Sequence, residues 1–191
     1  RESQDLVCVP LNFSSSTDPE LVMTVMEQYC ECVSAPGGKG MIMRPRQQKK
    51  WVVMFCDECN LPAADEYGTQ MVTAFIRGLV EKNGYWRPKD AQWIRLERVQ
   101  FVGACNPPTD PGREKLTHRF LRFAPVLLVD YPAVPSLKRI YGVFNEALLA
   151  NSDVAHLAGA VTDAMVDTYD ASRLKFTPDA QPHYIYSPRE L

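Results

Sequence analysis

The run Trp51-Val-Val-Met-Phe-Cys-Asp-Glu-Cys-Asn60 limits the possible folds more than any other part of the chain. Val52 to Cys56 are apolar without interruption, and the acidic pair Asp57-Glu58 follows at once. A short apolar run with no polar alternation marks a strand covered on both faces, so a central strand of a parallel sheet is expected here. Neighbouring residues of a strand point to opposite faces, which lets two adjacent carboxylates at its end serve two purposes. One can hold a divalent cation while the other polarises a water molecule.

The rest of the chain supplies what a parallel sheet needs, strands alternating with helices. Leu6 to Phe13 reads as a strand. Thr17 and Glu20 fit a capping box with Pro19 in the first turn, predicting a helix over 19–32 whose face carries Leu21, Val22, Val25, Met26 and Tyr29. Ala35-Pro-Gly-Gly-Lys-Gly40 breaks the chain, and Met41 to Pro45 forms one arm of a small hairpin. Gly37-Gly-Lys-Gly40 lacks the spacing of a phosphate-binding loop and is read as a turn. A second amphipathic helix carries Met71, Val72, Phe75, Ile76, Leu79 and Val80 and stops at Asn83-Gly84. Residues 85–96 read as a hairpin, Val99 to Cys105 as a strand, 116–123 as a short helix and Val126 to Val129 as a further buried strand.

Asp130-Tyr-Pro-Ala-Val-Pro135 is a boundary, because two prolines limit continuation of either regular structure. Two subdomains are therefore expected, an α/β unit over 1–131 and a helical unit over 132–191. In the second, 136–149 places Leu137, Ile140, Tyr141, Phe144 and Leu148 on one face, and 154–169 does the same with Val154, Leu157, Val161, Met165 and Tyr169. Ser187-Pro-Arg-Glu190 has the residues of a helix start, with Ser187 as cap and Glu190 closing a capping box. A helix beginning there, and a nucleotide fold with no opening strand and Gly-rich loop, predict a segment of something larger.

At 191 residues with 46% hydrophobic and 23% charged side chains, the chain has the balance of a soluble globular protein. A net charge of −2 provides no global field for nucleic acid or anionic lipid, and neither is expected as a partner. Cys30-Glu-Cys32 and Cys56-Asp-Glu-Cys59 have the spacing of zinc ligands. Cys8, Cys56 and Cys105 nevertheless sit in or beside apolar runs, where free thiols behave as small hydrophobes, so free cysteines are expected.

Asp57-Glu-Cys-Asn-Leu-Pro62, Gly103-Ala-Cys-Asn-Pro-Pro-Thr-Asp-Pro-Gly-Arg113, Leu116-Thr-His-Arg-Phe-Leu-Arg122 and Tyr184-Ile-Tyr-Ser-Pro-Arg-Glu190 together closely resemble the third AAA+ module of the cytoplasmic dynein heavy chain family. Leu11-Asn-Phe-Ser-Ser15 and Tyr141-Gly-Val-Phe-Asn145 extend the likeness from end to end. The resemblance implies a P-loop NTPase-like (AAA+) parallel sheet flanked by helices, followed by a small helical lid. It implies ATP and Mg2+ as ligands. Asp57 resembles the Walker B carboxylate that holds Mg2+ through water, and Glu58 the general base or water-orienting residue. Asn106 is similar to the sensor I residue that contacts the γ-phosphate and the attacking water. Arg119 resembles the arginine finger offered to a neighbouring module, with Arg122 as the alternative, and Arg189 looks like sensor II.

The same likeness implies a cytoplasmic, microtubule-associated motor. Its partners would be the adjoining AAA+ modules of the same heavy chain and, through other parts of the parent, intermediate and light chains and microtubules. Two departures stand out. Cys59 replaces a β-branched apolar residue, and the family's Gly-rich Walker A loop with its Lys would lie before Arg1, so little ATPase activity is expected of these residues alone. Two alternatives remain at this stage, a relay module that does not hydrolyse ATP and a remodelling AAA+ ATPase outside the dynein family.

Overall fold

The apolar run at 51–57 is a strand paired in parallel on both sides. In the computed structural model, which describes residues 5–38, 40–181, 183–184 and 186–191, the chain divides into two compact units, Arg1–Val126 and Leu127–Leu191. The first runs β1 (Leu6–Asn12), α1 (Pro19–Tyr29), β2 (Cys30–Ser34), β3 (Met41–Pro45), β4 (Trp51–Asp57), α2 (Met71–Lys82), β5 (Gly84–Arg87), β6 (Gln92–Leu96), β7 (Val99–Gly103) and the short α3 (His118–Leu121).

Two sheets share this unit. The first has the order β1-β4-β7, all parallel, with Asn12 opposite Asp57 and Gly103 opposite Cys56. The second has the order β2-β3-β6-β5, where the hairpins β2–β3 and β5–β6 join through a parallel β3–β6 pairing. One apolar core ties the sheets to the helices. Val9, Leu11, Val52, Met54 and Cys56 of the first sheet pack in the same cluster as Met43, Ile94 and Leu96 of the second, Val22 and Met26 of α1, and Val72, Ile76 and Leu79 of α2. Burial alternates along β4, with Val52, Met54 and Cys56 fully inside.

Local chemistry sets the ends of the elements. The cap of α1 is Asp18 rather than Thr17: its carboxylate accepts from the Leu21 amide at 2.9 Å, while the Thr17 hydroxyl accepts from the Ser14 amide and closes the preceding turn. The helix also stops at Tyr29, short of the 32 expected, because Cys30–Ser34 pairs antiparallel with Met41–Pro45. A ladder that satisfies five residues outweighs one more helical turn. Gly37, Gly38 and Gly40, all at positive φ, make the turn of that hairpin, and Lys39 lies outside the described residues. Asn83 ends α2 in the left-handed conformation. Its neighbour Gly84 is required by close approach, since an added Cβ would meet the Ile94 carbonyl oxygen at 2.3 Å.

The expected strand Val126 to Val129 is absent. These residues have no regular structure and are exposed, Leu128 at 92%. An apolar segment becomes a strand only when an edge is there to accept its hydrogen bonds, and none of the described strands pairs with it. The expected helix at 116–123 is likewise reduced to His118–Leu121, capped by Thr117.

The second unit is built on α4 (Val134–Leu149) and α5 (Ala158–Lys175). Leu137, Val166 and Tyr169 form its buried cluster, with Tyr141 and Tyr186 against it. Asn145 donates to the Thr162 hydroxyl at 2.9 Å, and Lys138 pairs with Asp163 and Asp167. The buried face of α5 is Ala158, Thr162, Val166 and Tyr169, so of the face expected from sequence only Tyr169 is inside. On α4 only Leu137 is buried, while Ile140, Phe144 and Leu148 are exposed. Among the described residues no helix is long and apolar enough to cross a membrane.

Candidate functional site

The carboxylates Asp57 and Glu58 stand where β4 leaves the sheet, and the turn that carries them is pinned from both flanking strands. On one side the Phe13 amide donates to the Asp57 carbonyl at 3.0 Å; on the other, Cys59 donates to the Ala104 carbonyl at 3.0 Å and Ala104 to the Cys56 carbonyl at 2.9 Å. Glu58 itself has φ +55, a left-handed conformation that a non-glycine residue adopts at a cost of about 1–2 kcal/mol. The turn closes with Leu61 donating to the Glu58 carbonyl, and the Glu58 amide donates to the Asp57 carboxylate at 2.9 Å. Local hydrogen bonds of this kind hold strained backbone in place at functional sites.

Asn60 connects this turn to the next strand. It is 1% exposed, and its side-chain amide donates to the Asn106 carbonyl at 2.9 Å. The segment after β7 is thereby held against the end of β4, which brings Asp57, Glu58 and Asn106 to one sheet edge. The Asn106 side chain is exposed. Asn60 Oδ1 is buried without a hydrogen-bond partner among the described residues. Cys59 is buried against Gly103, whose missing Cβ leaves space for the sulfur: a Cβ there would lie 3.2 Å from Sγ. Burial pushes the Cys59 thiol up to about 12, with the neighbouring Cys105 adding to the effect.

One further residue completes the cluster. Asp110-Pro-Gly-Arg113 is a turn, with Arg113 donating back to the Asp110 carbonyl and Gly112 at positive φ, and it returns the Arg113 side chain to the carboxylates. Arg113 Nη2 donates to Glu58 Oε1 at 3.0 Å and lies 3.0 Å from Oε2, within ion-pair distance but without hydrogen-bond geometry. The signal for it was present in the sequence as a Pro-Gly turn that reverses the chain before an Arg. Asn60 had no comparable signal, since a lone Asn two residues past an acidic pair reads as turn chemistry.

The remaining expected site residues lie elsewhere. Arg119 is exposed on α3 and lines a cleft with Phe75, Gly78, Tyr85, Trp86 and Trp93, none of which belongs to the Asp57–Glu58 turn. Arg122 rests over the Phe123 ring at 5.8 Å. Arg189 belongs to the second unit, where the Ser187 hydroxyl accepts from its amide at 3.2 Å. The Ser187 amide and hydroxyl both donate to Glu190 at 2.6 Å, and these bonds hold the Glu190 carboxyl below its ordinary range. The paired cysteines are also separated: Cys30 and Cys32 are in β2, and Cys56 and Cys59 are at the end of β4. Among the described residues, no three His, Cys, Asp or Glu side chains converge as a metal site.

The sequence matches described families along most of the chain. Residues 1–132 match the model of the P-loop containing dynein motor region, and 143–191 match that of the dynein heavy chain ATPase lid domain. The chain belongs to the dynein heavy chain family. It is 55% identical over its whole length to the cytoplasmic dynein heavy chains of Dictyostelium discoideum and Caenorhabditis elegans, and 45% identical to a dynein heavy chain-like protein of Plasmodium falciparum. It spans 4% of the length of each of these dynein heavy chains.

Proposed function

We propose that this segment contributes the Mg2+ and water side of an ATP site in the motor ring of a dynein heavy chain, at the module third in order. The observation that carries the reading is the sheet edge where Asp57 and Glu58 leave the central parallel strand and Asn60 ties Asn106 beside them. Ligands of open parallel sheets bind at the carboxyl ends of strands. The donor set fits: Asp57 offers half-buried carboxylate oxygens, the hard ligands that Mg2+ takes directly or through water. The phosphate-gripping side would come from a Gly-rich loop in the part of the parent preceding Arg1, because Gly37 to Gly40 turn a hairpin in the other sheet.

Bound Mg2+ and ATP would supply the transferable phosphoryl group and neutralise the charge that develops on it. Glu58 accepts the proton of the attacking water, and Asn106 orients that water from the segment after β7. Arg119, exposed on α3 and without a carboxylate partner among the described residues, is the finger offered to the neighbouring module. Arg189 is the candidate sensor II residue of the lid, next to the Ser187 hydroxyl that accepts from its amide. Nucleotide turnover at this module regulates a cytoplasmic, microtubule-based motor whose other modules and associated chains are the partners.

The test is Glu58→Gln in the intact heavy chain. Removing a general base slows its step by about 10^2- to 10^4-fold, so ATP remains trapped at this module and motility changes. Unchanged turnover at the site together with unchanged motility refutes the role and leaves the module a structural relay.

A further inference from the structure

Arg113 takes no part in the motif roles assigned above, yet it makes the contact to the proposed base. Its side chain is 17% exposed and that of Glu58 33%, so the ion pair is largely removed from water. Arg113 Nε is buried with no hydrogen-bond partner among the described residues. A guanidinium carries five donors in a fixed fork and cannot give up its charge, and here the carboxylate of Glu58 is the anion that compensates it. Breaking such a pair from one side leaves a partly buried charge without its partner. Glu58 stands at φ +55, and among the described residues Arg113 is the cation paired with its carboxylate.

We propose that Arg113 is a positioning residue for Glu58: the 107–113 turn carries a guanidinium onto the carboxylate and fixes the orientation from which it meets the attacking water. The inference rests on the reading of Glu58 as the base. It accounts for the shape of the segment after β7. Glu114 donates to the Asn60 carbonyl at 2.9 Å and Asn60 donates to the Asn106 carbonyl, so both ends of the turn are anchored to the Walker B-like loop. The turn and the loop form one hydrogen-bonded unit, and Arg113 is its charged member.

The experiment uses the intact heavy chain with Arg113→Met, which keeps much of the stem, and Arg113→Lys, which keeps the charge. Misplacement of a reacting group by about 1 Å costs about 10^2-fold, so Arg113→Met lowers kcat at this site by about tenfold to a hundredfold with KM little changed. Arg113→Lys recovers part of the loss. In a Glu58→Gln background Arg113→Met produces no further loss, since the group it acts through is gone. Without nucleotide, amide exchange at Cys59 and Leu61 rises in Arg113→Met and less in Arg113→Lys. An unchanged kcat in Arg113→Met, an equal additional loss in the Glu58→Gln background, or unchanged exchange overturns the proposal. Failure of the underlying reading is distinguishable, because Glu58→Gln alone then leaves turnover untouched.

Discussion

Cys56 and Cys59 flank the two carboxylates, and burial pushes both thiols up to about 12, as it pushes Cys30 up to about 11. Only the thiolate is nucleophilic, so these three are inert at pH 8 for two reasons, access and protonation. Cys8 and Cys105 are exposed. Alkylation of the native protein at pH 8 followed by peptide mass mapping is expected to label Cys8 and Cys105, with Cys30, Cys56 and Cys59 labelled only after denaturation. The same shifts predict a pH dependence. A thiol whose folded value is raised contributes stability that is intact below its ordinary value of 9.0 and is lost as pH rises through the folded value. Unfolding midpoints measured in denaturant should therefore fall between about pH 9 and 12, and a Cys56→Ser variant should show a shallower fall. An apolar run alone does not make a buried thiol: of Cys8, Cys56 and Cys105, expected on that ground to behave as small hydrophobes, only Cys56 is buried. The Glu58–Arg113 pair was only half readable: the Pro-Gly turn before Arg113 was visible, but a partner 55 residues away was not.

The elements divide by how much of their pattern is local. β4, β7, α2 and the β5–β6 hairpin were legible because each carries its own signal, an uninterrupted apolar run, a 3.6-residue stripe or a polar turn between aromatic arms. α5 was not, since its buried face is led by Ala158 and Thr162, small and polar residues that enter a helix interface by fitting rather than by hydrophobicity. Thr162 is satisfied there by donating to Ala158 and accepting from Asn145. The start of β2 was misread as helix for the opposite reason, because its identity comes from β3 and not from its own residues. Gly84 is the tightest point of this logic. With the Ile94 oxygen 2.3 Å from any Cβ placed there, the β5–β6 register depends on the absence of a side chain. Gly84→Ala is expected to destabilise the protein by about 1–3 kcal/mol through overpacking, measured by denaturant unfolding. Gly78→Ala, where an added Cβ meets nothing within 4 Å in the middle of α2, should be neutral or stabilising.

At the scale of the whole molecule the first sheet is narrow. β1 and β7 are its edges, and Val102 on β7 is 41% exposed. Exposed strand edges with apolar side chains invite pairing. Val126 to Val129 presents the complementary feature, four β-branched or aliphatic residues in sequence with exposures from 72% to 92%. A run of that composition satisfies its backbone and covers its side chains only when another strand lies beside it. In the proposed parent, a further strand carrying the Gly-rich loop would do both and would bring the phosphate grip to the edge that Asp57, Glu58 and Asn106 occupy. Hydrogen exchange tests this directly. In residues 1–191 alone, the amides of 126–129 should exchange at the rate of unprotected chain, whereas in the intact heavy chain they should be slowed by about 10^3-fold or more, the protection that opening free energies of about 4 kcal/mol confer on sheet interiors. Equal, fast exchange in both would mean that no strand joins that segment, and the ATP site would have to be assembled some other way.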